Sequence, residues 1–373
     1  MHTDSSRLGM IGALVAVALA AAACSGGDGG AADDGAGSGA ASTHGAGGGG
    51  ASGPSAGGAG AQAGAGAGSG AAGGSGGGSG CLDGTLFDVA ALEATVQFLA
   101  SDELEGRAPG TPGDEATRAY IADRFACLGL VPAGDSFQQP FVTSTGVDTA
   151  NVVGFLPGSD PALSSEIIVV GAHHDHLGII DGEIHNGAND NASGVAAILA
   201  MAQALRQRES APRRTVAFAA FGFEESEEEC EGSAHWVEQP PTKLPLENVV
   251  YMVNMDMVGT YPLEGRVDAY GSFQGTAARV LLDELAGDHP GLTLQLDIEA
   301  DEGSSDFQAF FDEGVPYIYF ETWDEDCYHS PCDDADHLDY PSMSDLSALA
   351  FEVLLGLADS PSALAAAGPF PSR

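Results

Sequence analysis

Three apolar stretches of the chain each lead, within three residues, into a side chain that carries an imidazole or a carboxylate. They are residues 167–171 before His173, residues 215–221 before Glu224, and residues 249–254 before Asp256. Short runs with so few polar positions are typical of β-strands that are buried on both faces. The carboxyl ends of parallel strands gather functional side chains at one edge of an open sheet. The pattern therefore predicts an α/β fold with a candidate site at that edge.

Helices are predicted to alternate with these strands. The spacing of apolar residues predicts helices over residues 89–100, 115–128, 192–206, 306–311 and 344–357. It predicts further strands over residues 137–143, 151–156 and 317–322. The alternation favours a mostly parallel central sheet flanked by helices on both faces. The folded domain is expected to span residues 81–360, with residues 361–373 as a short C-terminal tail.

The N-terminal part of the chain has the pattern of an export signal. The apolar run of residues 10–23 follows Arg7 and is too short to span a membrane. The alanines before Cys24 resemble the lipobox of bacterial lipoproteins, so residues 1–24 are predicted to be a signal peptide with a lipid attached to Cys24. Secretion without a lipid and an uncleaved membrane anchor are the alternatives. A lipid on Cys24 would place the protein at the bacterial cell envelope, on an outer membrane or exposed at the surface. Secretion without a lipid would place it outside the cell.

Residues 25–80 consist almost only of Gly, Ala and Ser and include no aromatic residue. Such a segment cannot bury enough apolar surface to offset the loss of chain entropy. It is predicted to be a flexible tether that reaches on the order of 40 Å. The folded domain would then stand clear of a membrane surface.

The chain is strongly acidic, with 54 acidic and 12 basic residues and a formal net charge of −42 at pH 7. Nucleic acids and anionic membranes are poor partners for so negative a protein. Membrane contact is therefore expected only through the lipid on Cys24.

The cysteines of an exported chain are expected to form disulfides. Cys327 and Cys332 are close in sequence, and a bond between them would stiffen the loop that they enclose. Cys81 and Cys127 form a second, weaker candidate pair. Cys230 would then remain as a free thiol.

Several further residues fit a two-metal site. Zinc is bound by imidazoles and carboxylates, and two ions about 3.5 to 4 Å apart need a carboxylate that bridges them. Asp190 lies between Gly187 and Gly194 where a loop enters a helix, which suits a bridging ligand, although a helix N-cap is the ordinary role of such a residue. The adjacent Glu224 and Glu225 can divide proton transfer and metal binding between them.

Two more candidates are less specific when each is taken alone. Asp256 is either a ligand at a strand end or a turn-forming residue. His329, between Tyr328 and Pro331, is a candidate terminal ligand.

Taken in order, these motifs resemble one family, the secreted bacterial di-zinc aminopeptidases, which also includes glutaminyl cyclases and glutamate carboxypeptidases. The resemblance covers residues 99 to about 340 and implies the zinc exopeptidase type of α/β fold, a phosphorylase/hydrolase-like architecture. Its motifs are Leu104-Glu105-Gly106-Arg107, Gly110-Thr111-Pro112-Gly113, Gly171-Ala172-His173-His174-Asp175-His176, residues 186–194, Glu224-Glu225, Asn254-Met255-Asp256, and Cys327-Tyr328-His329 with Cys332.

The resemblance also implies a role for each residue of the site. The first Zn²⁺ would be held by His173, Asp190 and Asp256, and the second by Asp190, Glu225 and His329, with a hydroxide shared between the two ions. Glu224 would be the general base, Asp175 would orient His173, and Tyr328 would donate a hydrogen bond to the oxyanion.

The chain departs from the family pattern at two places. The segment between Glu225 and Gly232 is longer and more acidic than usual, and Phe307 stands where many relatives have His. These differences bear on substrate preference. Four other histidines match no ligand position of the family and are expected to be structural or exposed: His174, His176, His185 and His337.

The expected function is removal of the N-terminal residue from peptides with a free N-terminus, by a monomeric enzyme with two Zn²⁺ per chain. A glutaminyl cyclase with one zinc and no attacking water is the first alternative. A non-catalytic binding ectodomain that has kept the fold is the second.

Overall fold

The computed structural model describes residue 81 and residues 84–225, 230–301, 303–362 and 364. The predicted signal peptide, Cys24, the tether of residues 25–80 and most of the predicted C-terminal tail lie outside the described residues. The domain boundaries near residues 24, 80 and 360 therefore remain predictions.

The described residues contain α-helices and β-strands in alternation. The helices are α1 Val89–Leu99, α2 Pro112–Leu128, α3 Gly194–Gln207, α4 Glu231–Glu238, α5 Tyr261–Glu264, α6 Ala277–Leu285, α7 Phe307–Asp312 and α8 Tyr340–Asp359. The strands are β1 Val131–Pro132, β2 Gln138–Val142, β3 Asp148–Leu156, β4 Ile167–His173, β5 Gly178–Ile180, β6 Glu183–His185, β7 Thr215–Phe221, β8 Val249–Met255, β9 Val267–Tyr270, β10 Leu294–Gln295 and β11 Tyr317–Glu321.

The centre of the main sheet is parallel, as the apolar runs predict. Strands β7, β4, β8 and β11 lie side by side in that order, and each neighbouring pair is parallel. Their carboxyl ends therefore meet at one edge. At that edge β4 ends at His173, β8 ends one residue before Asp256, and β7 ends three residues before Glu224.

The margins of the sheet are antiparallel, so the sheet is mixed. β3 is antiparallel to β7 and pairs with β1 and β2, while β9 is antiparallel to β11 and parallel to β10. β5 and β6 form a separate hairpin. The predicted α/β class is confirmed; the direction of the marginal strands was not predictable, because an apolar run looks the same in either direction.

Helices cover both faces of the sheet. Ile168 and Val170 of β4 point into a core shared with α1, α2, α3, α6 and α8. Ile167 and Val169 point the other way, into a second core shared with α4 and α7. This alternation along one strand explains why β4 has no polar position before His173.

Local capping moves two helix starts ahead of the predicted ones. Thr111 accepts a hydrogen bond from the backbone N–H of Asp114, and Pro112 occupies the first turn of α2. Asp339 accepts one from Ser342 at the start of α8. α8 is long and apolar enough to cross a membrane by composition, but 56% of its most apolar window is buried, as in a core helix.

Both predicted disulfides are present. Cys81 is bonded to Cys127 of α2, and Cys327 is bonded to Cys332. Cys230 is buried and is not part of a disulfide, as expected. The first bond ties the start of the domain to a helix, and the second closes the loop that carries His329.

Candidate metal centre

The carboxylate of Asp190 lies between two imidazoles. Its Oδ1 is 3.2 Å from Nε2 of His173, and its Oδ2 is 3.3 Å from Nε2 of His329. The two oxygens of one side chain thus face ring nitrogens from distant parts of the chain. This is the arrangement expected of a carboxylate that bridges two cations.

Each imidazole also faces a second carboxylate. Nε2 of His173 lies 3.2 Å from Oδ1 of Asp256, and Nε2 of His329 lies 2.9 Å from Oε2 of Glu225. The five predicted metal ligands therefore come together as two groups that share Asp190.

The turn that holds Asp190 depends on close backbone packing. Gly187 has φ +59°, and a Cβ on Gly194 would collide with the carbonyl oxygen of Met255 on β8. Ser193, not Asp190, is the N-cap residue of α3. The alternative role of Asp190 as a helix cap is therefore excluded.

The charges of the site favour bound cations. Burial alone would lower the pKa of His329, but hydrogen bonds and charges from Asp190 and Glu225 raise it to about 10. In the same way, Asp256 and Glu224 hold the pKa of buried His173 well above its usual value. The carboxylates thus stabilise positive charge at the two places where they converge, which is also what a divalent ion requires.

Glu224 is placed differently from Glu225. Its Oε2 is 3.9 Å from Nε2 of His173, beyond hydrogen-bond distance, and its side chain is 12% exposed. Burial, followed by the charges of Glu225 and other carboxylates, raises its pKa well above the usual value for glutamate. A carboxylate that takes up protons this readily and borders a metal centre suits a general base.

Asp175 was expected to orient His173 through its carboxylate, but a different atom of Asp175 faces the imidazole. Nδ1 of His173 is 3.3 Å from the backbone oxygen of Asp175 but 3.9 Å from its nearer carboxylate oxygen. The carboxylate instead accepts hydrogen bonds from the backbone N–H groups of Glu224 at 3.1 Å and Glu225 at 3.2 Å. Asp175 therefore orients His173 through its carbonyl group and positions the two glutamates through its side chain.

Tyr328 lies at the open side of the centre. It is 40% exposed, and its ring stacks on His329 with centroids 3.8 Å apart and contacts Trp323 at 4.7 Å. The stacking fixes the ring next to a candidate ligand, with part of its surface open to solvent.

His176 was missed as a site residue. It is buried, and its Nδ1 lies 2.8 Å from Oε1 of Glu225. The ring holds one oxygen of Glu225 while the other faces His329. The sequence contains one indication of this role, because His176 is three residues beyond His173 in a strongly polar motif. The family pattern has no ligand at this position and therefore does not predict the contact.

The other three histidines are structural. His174 is buried and bonds Asp114, and His337 bonds Asp324 at 2.8 Å. His185 is buried at the end of β6. None of these rings contacts the predicted ligands in the described residues.

Three further polar groups contact the candidate ligands or Glu224. Ser305 donates a hydrogen bond of 2.7 Å to Oδ2 of Asp256, and Asp333 accepts one of 3.0 Å from the backbone N–H of Asp190. The thiol of Cys230 lies 3.5 Å from Oε1 of Glu224. The contacts of Ser305 and Asp333 join residues that are 49 and 143 positions apart in the chain, so no local motif in the sequence reveals them.

Phe307, the second departure from the family pattern, is a packing residue. It is buried and stacks on Tyr317 and Tyr319 with centroids 4.1 and 5.5 Å apart. The other departure, the acidic segment after Glu225, lies mostly outside the described residues.

The donor atoms fit zinc. One ligand atom each from His173, Asp190 and Glu225 lies within 4.8 Å of the others, and imidazole with carboxylate is a usual zinc donor set. Asp324, Cys327 and His337 form a second group by distance. That group is not a candidate, because the sulfur of Cys327 is in a disulfide.

Curated relatives share part of this chain. Leupeptin-inactivating enzyme 1 of Streptomyces exfoliatus is 26% identical over 269 residues, which are 66% of this chain and 56% of that protein. Aminopeptidase YwaD of Bacillus subtilis is 29% identical over 185 residues, 46% of this chain and 37% of that protein. The chain thus spans about half the length, or less, of these two relatives.

Solved structures share the fold. A zinc aminopeptidase from Bacillus subtilis superposes with a TM-score of 0.61 at 16% identity, over 76% of this chain and 98% of that one. A glutaminyl cyclase from Porphyromonas gingivalis gives 0.60 at 18% identity, over 73% and 99%. The family model described as Peptidase family M28 matches residues 151–354, which include every predicted metal ligand. The chain therefore belongs to peptidase family M28 and has the fold of its zinc aminopeptidases.

Proposed function

We propose that this chain is a zinc-dependent aminopeptidase that hydrolyses the N-terminal peptide bond of peptides. The observation that carries the proposal is the position of Asp190 between His173 and His329, at 3.2 and 3.3 Å, with a second carboxylate beside each ring. One Zn²⁺ would be held by His173, Asp190 and Asp256 and another by Asp190, Glu225 and His329. When bound, such ions polarise the scissile carbonyl group and lower the pKa of the attacking water towards about 7.

Glu224 moves the proton in this proposal. Its carboxylate borders the centre with no imidazole within hydrogen-bond distance, and its raised pKa favours proton uptake. It takes a proton from the attacking water and delivers it to the nitrogen of the leaving amine. The backbone N–H of Glu224 donates a hydrogen bond to the carboxylate of Asp175, which holds Glu224 in place beside the centre.

Tyr328 completes the reacting geometry. Its ring is held by His329 and Trp323, and part of it is open to the solvent from which substrate enters. We assign its hydroxyl group the role of donating a hydrogen bond to the oxygen that becomes negative as the peptide carbonyl is attacked.

The distribution of basic residues favours a free N-terminus over a free C-terminus in the substrate. A carboxypeptidase needs a cation that binds the substrate's terminal carboxylate. Among the Arg and Lys side chains in the described part of the chain, only Arg107 lies next to the centre, and it is buried and donates to four backbone carbonyl oxygens. Every other described Arg or Lys has a partner outside the ligand groups.

Residues 226–229, which lie outside the described part, also include no basic residue. A free amino group, in contrast, is attracted by the carboxylates of the centre. The charge pattern thus supports recognition of a substrate amine.

A panel of aminoacyl p-nitroanilides tests the proposal, with matched N-acetylated compounds as the control. We expect release of p-nitroaniline from free-amine compounds, its loss with a chelator, and its recovery with added zinc. The acetylated compounds should react poorly, because they lack the positive charge. No chelator-sensitive release across the panel would refute the proposal.

A second assay tests the glutaminyl cyclase alternative, which the shared fold with the Porphyromonas gingivalis enzyme keeps open. A peptide with N-terminal glutamine would be converted to a pyroglutamyl peptide by a cyclase but shortened by an aminopeptidase. Mass spectrometry distinguishes the two products, and we expect the shortened peptide.

A further inference from the structure

Asp333 contacts the turn that carries the bridging carboxylate at three points. Its side chain accepts hydrogen bonds from the backbone N–H of Asn189 at 2.7 Å and from that of Asp190 at 3.0 Å. Its carbonyl oxygen accepts a third from the N–H of Ala188 at 3.1 Å. The residue is 2% exposed, so solvent does not compete for these bonds.

The position of Asp333 in the chain joins this turn to the opposite side of the centre. Asp333 directly follows Cys332, whose disulfide to Cys327 closes the loop that carries His329. The three bonds from Asp333 therefore connect the backbone of Asp190 to a covalently closed loop. Asp190 and His329 are both ligands of the second metal position, and their separation depends on this connection.

Arg107 lies on the other side of the same turn. Its guanidinium donates to the carbonyl oxygens of Asn186 at 2.6 Å and Gly187 at 2.9 Å, just before the residues that Asp333 holds. The turn is thus held by a cation through its carbonyl groups and by an anion through its N–H groups.

We propose that Asp333 is a positioning residue that sets the place of the bridging Asp190 relative to His329 and so determines how tightly the centre holds zinc. The inference rests on the proposed function only in that the centre binds zinc. Asp333 does not contact the reacting atoms, and it acts through the backbone of Asn189 and Asp190. Residues that orient metal ligands in this way typically change metal affinity by 10- to 100-fold when they are altered.

Asp333→Asn tests the proposal, because an amide keeps the size of the side chain but can accept only one of the two N–H bonds and turns an N–H group towards the other. We expect the folded variant to bind zinc about 10- to 100-fold more weakly, measured by competition with a chromophoric chelator. Asp336→Asn is the matched control: it removes the same charge from an exposed position nearby, and its zinc affinity should stay within about twofold of the wild type. A folded Asp333→Asn protein with wild-type zinc affinity would overturn the proposal. A purely structural role predicts that outcome, with a lower Tm alone.

A second pair of variants tests the connection even if Asp333→Asn does not fold. Removing the Cys327–Cys332 bond with the double variant Cys327→Ser/Cys332→Ser should weaken zinc binding, because the loop of Asp333 and His329 is then open. The matched control, Cys81→Ser/Cys127→Ser, removes the distant disulfide and should lower the Tm while leaving zinc affinity unchanged. Equal zinc affinities of the two double variants would count against the proposal.

These measurements separate the inference from the proposed function. A wild-type protein that binds zinc but cleaves no aminoacyl substrate would refute the proposed function. The role of Asp333 would still be tested by comparing the zinc affinities of Asp333→Asn and the wild type. A wild-type protein that cleaves its substrates while Asp333→Asn binds zinc equally well would refute the inference alone.

Discussion

Glu224 and Glu225 are neighbours in sequence, yet their carboxylates lie in different surroundings. Glu225 has an imidazole at each oxygen, His176 at 2.8 Å and His329 at 2.9 Å, and although burial would raise its pKa, those imidazoles contribute to a lowered value. Glu224 has no imidazole within hydrogen-bond distance, and burial raises its pKa. A pair of acids whose pKa values are moved apart can take two roles, one as ligand and one as proton carrier.

Glu224→Gln separates these roles. Since glutamine cannot accept a proton, we expect kcat to fall by about 10²- to 10⁴-fold. Zinc content, measured by elemental analysis, should not change, because Glu224 is not among the ligands. Unchanged turnover would contradict the role of Glu224 as general base.

Motifs identified the candidate ligands, but not the residues that support them. His173 and Asp256 follow apolar runs, and Asp190 lies in a glycine-rich turn. The residues next to each of them are enough to predict the strand or turn that holds it. His176 and Asp333 act through contacts with Glu225 and with backbone N–H groups, respectively. Such contacts depend on the packing of separate elements, which one sequence does not reveal.

At the scale of elements, the central strands and the marginal strands β2 and β3 were predictable, and the shortest marginal strands were not. β4, β7 and β8 are each seven residues long and almost fully buried, so their composition identifies them. β9 and β10 have only four and two residues. Segments so short contain too few side chains for any periodicity, and they are strands only because β9 pairs with β11 and β10 pairs with β9.

Gly194 shows how closely two elements approach at the site. It begins α3 with ordinary helical angles, so the need for glycine comes from space: a Cβ would meet the backbone of β8 and the side chain of Asn191. We expect Gly194→Ala to lower the free energy of unfolding by about 1–3 kcal/mol, measured by urea denaturation. Gly287→Ala is the control, because nothing lies within 4 Å of a Cβ there. Equal stability of the two variants would contradict the packing described for this turn.

His289 connects the segment after α6 to helix α8. Its ring faces Asp345 at 2.6 Å and Glu352 at 3.3 Å; burial alone would lower its pKa, but these carboxylates raise it. Because the folded-state pKa is raised, the contribution to stability is complete below the unfolded value of about 6.5 and is lost as the pH rises through the folded value.

His289→Gln should therefore destabilise the protein at pH 6, by about 0.5 kcal/mol since both partners are partly exposed, and have little effect at pH 9. Thermal unfolding of wild type and variant at the two pH values measures the difference. A loss of stability that is the same at both values would show that the ion pairs do not contribute.

At the scale of the whole molecule, the expected export signal and tether lie in residues 1–80, outside the described residues. We propose that a lipid on Cys24 attaches the domain to a membrane through the Gly-rich segment. Cys24→Ala should then move the protein from the detergent phase to the aqueous phase in a partition experiment. A variant that remained in the detergent phase would exclude the lipid as the anchor.

The centre forms only when the whole domain is folded, because its proposed ligands come from five separate segments. These are the ends of β4 and β8, the turn before α3, the segment after β7 and the disulfide loop. The most direct test is a zinc titration of the chelator-treated protein, in which bound zinc per chain and aminopeptidase rate are followed together. We predict that full activity is reached only when two zinc ions are bound per chain. Full activity with one ion per chain, or without zinc, would contradict the proposed two-metal centre.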